Sequence, residues 1–270
     1  MMSPIARTVS SFIVAASLAV AGCAGQSSGS GARDPVRLAE TEYDLARDLW
    51  LQRGQLREAL EHALKATELD PDNAEAHHLA ALLYLDFCAR SPSECRLGEA
   101  EKHARLAISL RNDLREAKNT LGVILINAHR AREAVEVLRP LSEDILYSTP
   151  EKAWGNLGLA YLDAGDIDRA IDALRRSLAA QPLFCVGSYR LGLAYEKKGD
   201  LRAAAEALTR ALETEAPECS RLQDALAVRA RVRGRLDQVE EQKADLRRCV
   251  ELSPSSETGK NCRSILEKLK

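Results

Sequence analysis

The feature that most constrains this chain is that it repeats itself. Trp154, Leu157, Gly158 and Tyr161 are followed by Ala170, Leu174 and Pro182. Thirty-four residues on, the same frame returns as Leu191, Gly192, Tyr195, Gly199, Ala204, Leu208 and Ala211. A period of this length is one supersecondary unit, too small to bury its own apolar faces and stable only when neighbours cover it. Within each unit, frame positions 4, 7, 8 and 11 fall on one helical face, and Gly or Ala at position 8 lets a second helix approach closely. With aromatic residues at only 4% and Ala, Leu, Arg and Glu dominant, the units are helices packed through small residues rather than strands.

The spacing resembles the tetratricopeptide (TPR) pattern, and the frame extends in both directions. Tyr43, Ala46, Trp50, Gly54, Ala59, Ala63, Ala66 and Pro71 form a first copy. His77, Ala80, Ala81 and Tyr84 open a second, whose second helix resumes at Ala100, Ala104 and Ala107, seven residues late, so a loop has been inserted. Leu121, Gly122, Leu125, Ala134 and Leu138 carry the third copy, where Pro140 is expected to end or kink the second helix and Ser142 to Pro150 to form an irregular bridge. After Cys219 the match weakens, and Leu222, Ala225, Leu226, Leu246 and Pro254 fit only with about four extra residues. The expected fold is all-α: a right-handed superhelical solenoid of about six TPR hairpins with a C-terminal capping helix. The repeats are placed at 37–73, 74–114 with the inserted loop, 115–150, 151–184, 185–218 and a degenerate 219–255, and the cap at 256–270.

The N-terminus reads as an export signal. Arg7 supplies a positive start, Phe12 to Val20 form an apolar stretch too short to span a bilayer, and small residues follow. Val20-Ala21-Gly22-Cys23 resembles a bacterial lipobox, in which cleavage precedes an acylated cysteine. Residues 1–22 are then a signal peptide, Cys23 the lipid anchor and 23–36 a flexible linker containing Gln26-Ser27-Ser28-Gly29-Ser30-Gly31. Several acyl chains on one cysteine make attachment effectively permanent. Ala24, in place of an acid, favours the outer membrane by resemblance to enteric lipoproteins, with the chain facing the periplasm.

Removing Cys23 from the seven cysteines leaves six, an even number in an exported chain. Cys88 and Cys95 flank the inserted loop, Cys185 and Cys219 occupy one frame position in successive units, and Cys249 and Cys262 lie on the last repeat helix and the cap. The pairings 88–95, 185–219 and 249–262 are therefore expected. Metal binding is not, because no C-x-x-C pair or H-E-x-x-H occurs. The five histidines read as ordinary helix residues, with His77 and His78 on different faces. No nucleophile elbow, phosphate loop or dinucleotide fingerprint is present, so the chain reads as a non-enzyme without a cofactor or small-molecule substrate. A net charge of −2 without a basic run gives no nucleic-acid surface. A monomer is expected.

In the TPR family, frame positions 2, 5, 9, 12 and 13 of each first helix line a concave groove. Positions 9 and 12 here are Leu82 and Leu85, Val123 and Ile126, Leu159 and Leu162, then Leu193, an unbroken apolar strip across repeats two to five. His78, Asn119 and Tyr189 at position 5 and Asn156 at position 6 set polar groups beside it. Such a groove suits the apolar face of a helix or an amphipathic strand. The set of Lys and Asn with which some TPR proteins clamp a C-terminal carboxylate is missing, which disfavours a chaperone-tail adaptor.

Lipobox, short leash, about six TPRs and paired cysteines together resemble the pilotin lipoproteins of type IV pilus systems, the Tgl/PilF/PilW family. That resemblance implies a protein that binds secretin subunits and promotes their outer-membrane localisation and assembly, so that pili form and motility follows. The loop between Cys88 and Cys95 has no place in that pattern. A lipoprotein scaffold for cell-wall synthases or for outer-membrane barrel assembly would share the architecture.

Overall fold

The computed structural model of the protein describes residues 34–216 and 219–269. The export signal and the Cys23 anchor lie outside them. Among the described residues every regular element is helical. Six antiparallel hairpins follow one another: α1 (Pro35–Leu51) with α2 (Leu56–Leu69), α3 (Ala74–Arg90) with α4 (Leu97–Leu110), and α5 (Arg115–Asn127) with α6 (Ala131–Ser142). Then come α7 (Pro150–Asp163) with α8 (Ile167–Ala180), α9 (Cys185–Lys198) with α10 (Leu201–Glu213), and α11 (Gln223–Arg235) with α12 (Val239–Leu252). A last helix, α13 (Glu257–Lys268), covers the sixth hairpin, giving the TPR solenoid. No described helix is long and apolar enough to cross a membrane.

Frame position 15, the turn inside each hairpin, explains much of this regularity. Gly54, His129, Gly165, Gly199 and Asp237 stand there in repeats one, three, four, five and six, with φ of 67°, 58°, 85°, 87° and 59°. The left-handed conformation stops the first helix and turns the chain back, and it suits glycine because a Cβ is strained there. Asp237 also fixes the register of the last repeat: counting back fourteen residues puts its first position at Gln223, four later than Cys219, which accounts for the four extra residues.

Close approach inside the hairpins of repeats two to five rests on matched sizes. A Cβ on Gly122, Gly158 or Gly192 at position 8 would lie 2.4–2.5 Å from Leu138, Leu174 or Leu208 at position 24. Repeat two instead carries Ala81 and Ala104 at those positions, both fully buried. Large against absent and small against small fill the same gap.

Pro140 does not end α6 where it stands. The helix continues two residues to Ser142, because one missing donor in the final turn costs little there, and the chain from Glu143 to Thr149 is then irregular as far as the start of α7. Tyr147 plugs this bridge into the core at 5% exposure, while Ile145 and Leu146 project outward.

Candidate functional site

Each first helix touches the next first helix as well as its own partner: α1 meets α3, α3 meets α5, α5 meets α7, α7 meets α9 and α9 meets α11. The first helices therefore share one closely spaced face, and polar side chains wire it together. Trp50 Nε1 donates to Asp86 Oδ2 at 2.8 Å, tying α1 to α3. His78 Nε2 lies 2.9 Å from Thr120 Oγ1, tying α3 to α5. Because the Thr120 hydroxyl donates to the Glu116 carbonyl at 2.9 Å, His78 must be the donor, and burial lowers its pKa. Asn156 Nδ2 donates to Asn119 Oδ1 at 2.9 Å and Asn156 Oδ1 accepts from Arg190 Nη1 at 2.8 Å, a relay over α5, α7 and α9. Arg231 grips Glu196 with two bonds of 2.7 Å, tying α11 to α9.

The expected apolar strip is present in part. Leu82, Leu85, Val123, Leu159 and Leu193 are partly buried and stay accessible on this face. Ile126 at 7% and Leu162 at 4% exposure do not line it; both are buried in the hydrophobic core cluster. Asn156, 6% exposed, is committed to the relay and is not a free polar group. The strip is thus a row of separated patches. At its N-terminal end, Trp50, Leu51, Leu82 and Leu85 line a depression of about 570 Å³ with Asp86 and Arg90 at its edge. At the other end Tyr189, Ala227, Val228 and Ile265 line one of about 510 Å³, bordered by α13.

The structure forms the three bridges Cys88–Cys95, Cys185–Cys219 and Cys249–Cys262, with Cα separations of 4.2, 5.7 and 6.3 Å. Cys219 lies in a 3₁₀ turn, Cys219–Arg221, rather than opening α11. The first bridge closes the insertion, whose turn Pro92–Glu94 is pinned when Arg57 reaches Glu94 at 2.7 Å and lies over the Phe87 ring. Beneath it Leu60, Leu64, Tyr84 and Phe87 floor a cleft of about 360 Å³.

Sequence reasoning undervalued the histidines. His77 Nε2 lies 3.0 Å from the Pro71 carbonyl, which can only accept, so His77 donates there and its Nδ1 is the acceptor for His103 Nδ1–H at 2.9 Å. Burial, reinforced by His77, pulls His103 down to about 4, so His103 is neutral at neutral pH. In repeat one His62 Nδ1 meets buried Glu42 at 2.5 Å. Burial by itself would raise Glu42, but Lys65 and His62 outweigh it and hold the carboxyl below its ordinary range. A signal existed: His62 and His103 are 41 residues apart, one 34-residue period plus the seven inserted, so both occupy position 23, facing the first helix. Among the described residues no group of three or more His, Cys, Asp or Glu is placed to hold a metal.

Stacked two-helix units with a left-handed turn at position 15 and matched positions 8 and 24 define a solenoid of tetratricopeptide repeats, a class of protein that mediates protein–protein interactions. Models of the TPR repeat match residues 48–86, 151–184 and 188–216. The chain is 30% identical over 156 residues to the type IV pilus assembly protein PilF of Pseudomonas aeruginosa, a match covering 55% of this chain and 59% of that protein. The solved structure of PilW, described as a widely conserved type IV pilus biogenesis factor, superposes with a TM-score of 0.69 at 22% identity over 83% of this chain and 98% of that one. A chain of the APC/C assembly Cut9–Hcn1 superposes with a TM-score of 0.70 at 18% identity, covering 86% of this chain and 42% of that one. Likeness at these identities establishes the fold, which many functions share.

Proposed function

We propose that the protein is an outer-membrane lipoprotein pilotin. In this reading Cys23 carries the lipid, residues 24–34 are the leash up to the start of α1 at Pro35, and the solenoid binds secretin subunits of a type IV pilus machine and promotes their localisation and assembly. It acts by binding alone and catalyses no reaction. The observation that carries the reading is agreement at two levels: 30% identity to a pilus assembly protein, and an array of the same extent as PilW, matched over 98% of that chain. The accessible leucines of α3, α7 and α9 together with Val123 are the proposed contact for an apolar secretin segment.

The test is genetic and biochemical. A Cys23→Ala strain is expected to lose heat-stable secretin multimers on a gel, and the lipidated protein, crosslinked in membranes, is expected to recover a secretin. A double charge change, Leu82→Glu with Leu159→Glu, is expected to abolish that recovery while leaving the helical circular-dichroism spectrum intact. Normal multimers in the Cys23→Ala strain, with cell-wall synthases or barrel-assembly proteins recovered instead, would replace this reading with that of an envelope scaffold.

A further inference from the structure

Arg190 lies in the seam between α7 and α9. Among the described residues, one of its five N–H groups finds a partner, through Nη1 on the Asn156 carbonyl oxygen at 2.8 Å. No described carboxylate reaches it within ion-pair distance, whereas Arg231, the cation that ties the next first helix to α9, is held by Glu196. Its side chain is partly buried. Desolvation pulls the guanidinium down to about 10 against the opposing influence of Tyr189 and Asp163, so it remains a cation at neutral pH with no described carboxylate in ion-pair contact. Arg190, Leu193 and Lys197 are spaced three and seven apart, which puts them on one flank of α9, and Lys197 Nζ donates across the seam to the Leu162 carbonyl at 3.2 Å. Asn156 is in turn held by Asn119, so the guanidinium is anchored through one nitrogen and its remaining donors are left for a ligand.

A desolvated, anchored cation beside apolar surface favours a planar anion that can accept two parallel hydrogen bonds. Apolar groups flank it along α9: Leu193 stands one turn on, and its chain neighbour Tyr189 lines the depression shared with Val228 and Ile265. A chain end would leave one of these uncovered. We infer that Arg190 receives the side-chain carboxylate of an internal Asp or Glu in the bound segment, flanked on both sides by apolar residues. This inference rests on the reading of the face as a partner-binding surface and adds what that partner must carry. Arg190 selects the partner, and the leucines supply the buried area.

Two arms separate this inference from the pilotin reading. In the first, overlapping 15-residue peptides covering the secretin are titrated into the full chain by fluorescence anisotropy. Each binder is then remade with its central acid as the amide, and each is measured against Arg190→Gln and Arg190→Lys. The acid-to-amide change and Arg190→Gln are each expected to weaken binding 10- to 100-fold with no further loss in combination, Arg190→Lys to lose less, and C-terminal amidation to change nothing. Equal binding by wild type and Arg190→Gln, or loss on C-terminal amidation alone, would overturn the inference while leaving the secretin reading standing. The second arm needs no secretin: N-acetyl-Leu-Glu-Leu-amide at millimolar concentration is expected to shift the Arg190 Nε–H resonance, and N-acetyl-Leu-Gln-Leu-amide is not. A shift here without any secretin binder would refute the pilotin reading alone, and no shift in this arm with no acid-dependent binder in the first would refute the inference.

Discussion

The matched pairs at positions 8 and 24 make a prediction in which a single substitution changes sign with its background. In the wild type, a methyl at position 158 would sit 2.5 Å from Leu174 Cγ and 2.9 Å from its Cδ2, with the Ala170 carbonyl oxygen at 3.2 Å. Overpacking of this kind costs about 1–3 kcal/mol. Replacing a mid-helix glycine by alanine returns roughly 1 kcal/mol of propensity, so Gly158→Ala should destabilise by a net amount of up to about 2 kcal/mol. Leu174 has no exposed surface, and Leu174→Ala should cost about 2–5 kcal/mol from lost transfer free energy plus a cavity. Once Leu174 is replaced by alanine, the leucine atoms that crowd a methyl at position 158 are gone, the added methyl fills part of the cavity, and the propensity gain remains. Gly158→Ala should then stabilise that background by about 1–2 kcal/mol, which re-creates the Ala81 and Ala104 arrangement of repeat two. The assay is urea unfolding of the four oxidised proteins followed by circular dichroism, read as a double-mutant cycle. An equal shift of the midpoint by Gly158→Ala in both backgrounds would refute the claim that side-chain size at these two positions sets the approach of the helices.

Other perturbations test other links. His103 has a folded pKa near 4 against 6.5 for the free group, so the unfolded chain takes up the proton first; its contribution to stability is complete above pH 6.5 and is lost as pH falls toward 4. That difference of 2.5 units corresponds to about 3 kcal/mol, and His103→Asn, which keeps a donor toward His77 without titrating, should flatten the decline in unfolding free energy over this window. Asp245, 3% exposed, accepts from Arg229 at 2.7 and 3.0 Å and from Arg233 at 2.6 Å, so Asp245→Ala strands buried cations and should cost about 3–5 kcal/mol in urea unfolding. His129→Gly and Asp237→Gly, each at positive φ, should raise the thermal midpoint by relieving strain of about 1 kcal/mol apiece; a lowered midpoint in both would contradict the role assigned to position 15.

The fold was legible because its determinants are local and periodic. Gly122, Gly158 and Gly192 recur at one position, and the residues they admit recur sixteen later, so a frame read from two repeats reaches the others. The Cys185–Cys219 pair was legible from the same period, although the four extra residues leave Cys219 in the turn ahead of α11 rather than on it; the other two pairs were legible from their closeness in the chain, at separations of 7 and 13. What frame counting could not supply was the depth at which each side chain sits. Ile126 and Leu162 share their position with Leu85 yet are more buried, because contact between successive first helices depends on how far each hairpin rotates against the next, and no residue encodes that alone. Arg190 was passed over because a charged residue at a surface position looks like any other; its isolation is visible only in three dimensions, where its one described hydrogen bond goes to Asn156 and no described carboxylate lies within ion-pair distance.

The distribution of packing chemistry along the array bears on where a partner would bind. Repeats three, four and five hold their hairpins with Gly against Leu, an apolar contact that needs no partner outside the hairpin. The flanking repeats use other means. Repeats one and two rely on Ala and on the position-23 histidines, and repeat six on the charged trio Arg229, Arg233 and Asp245. Open arrays fray from their ends, where each unit has a single neighbour. The bridges Cys185–Cys219 and Cys249–Cys262 fasten repeat six to repeat five and α13 to repeat six, and on the loop-entropy account each is worth on the order of 3–4 kcal/mol. The Cys88–Cys95 bridge instead closes a seven-residue separation inside repeat two, so it stiffens a loop and fastens no repeat to the next. Stabilisation is therefore concentrated at the C-terminal end, beside the Tyr189 depression and the seam that holds Arg190. A docking face gains affinity when its side chains are already ordered before the partner arrives, because the ordering entropy is not charged to binding. The bridged C-terminal half is the part of the solenoid best prepared to present one.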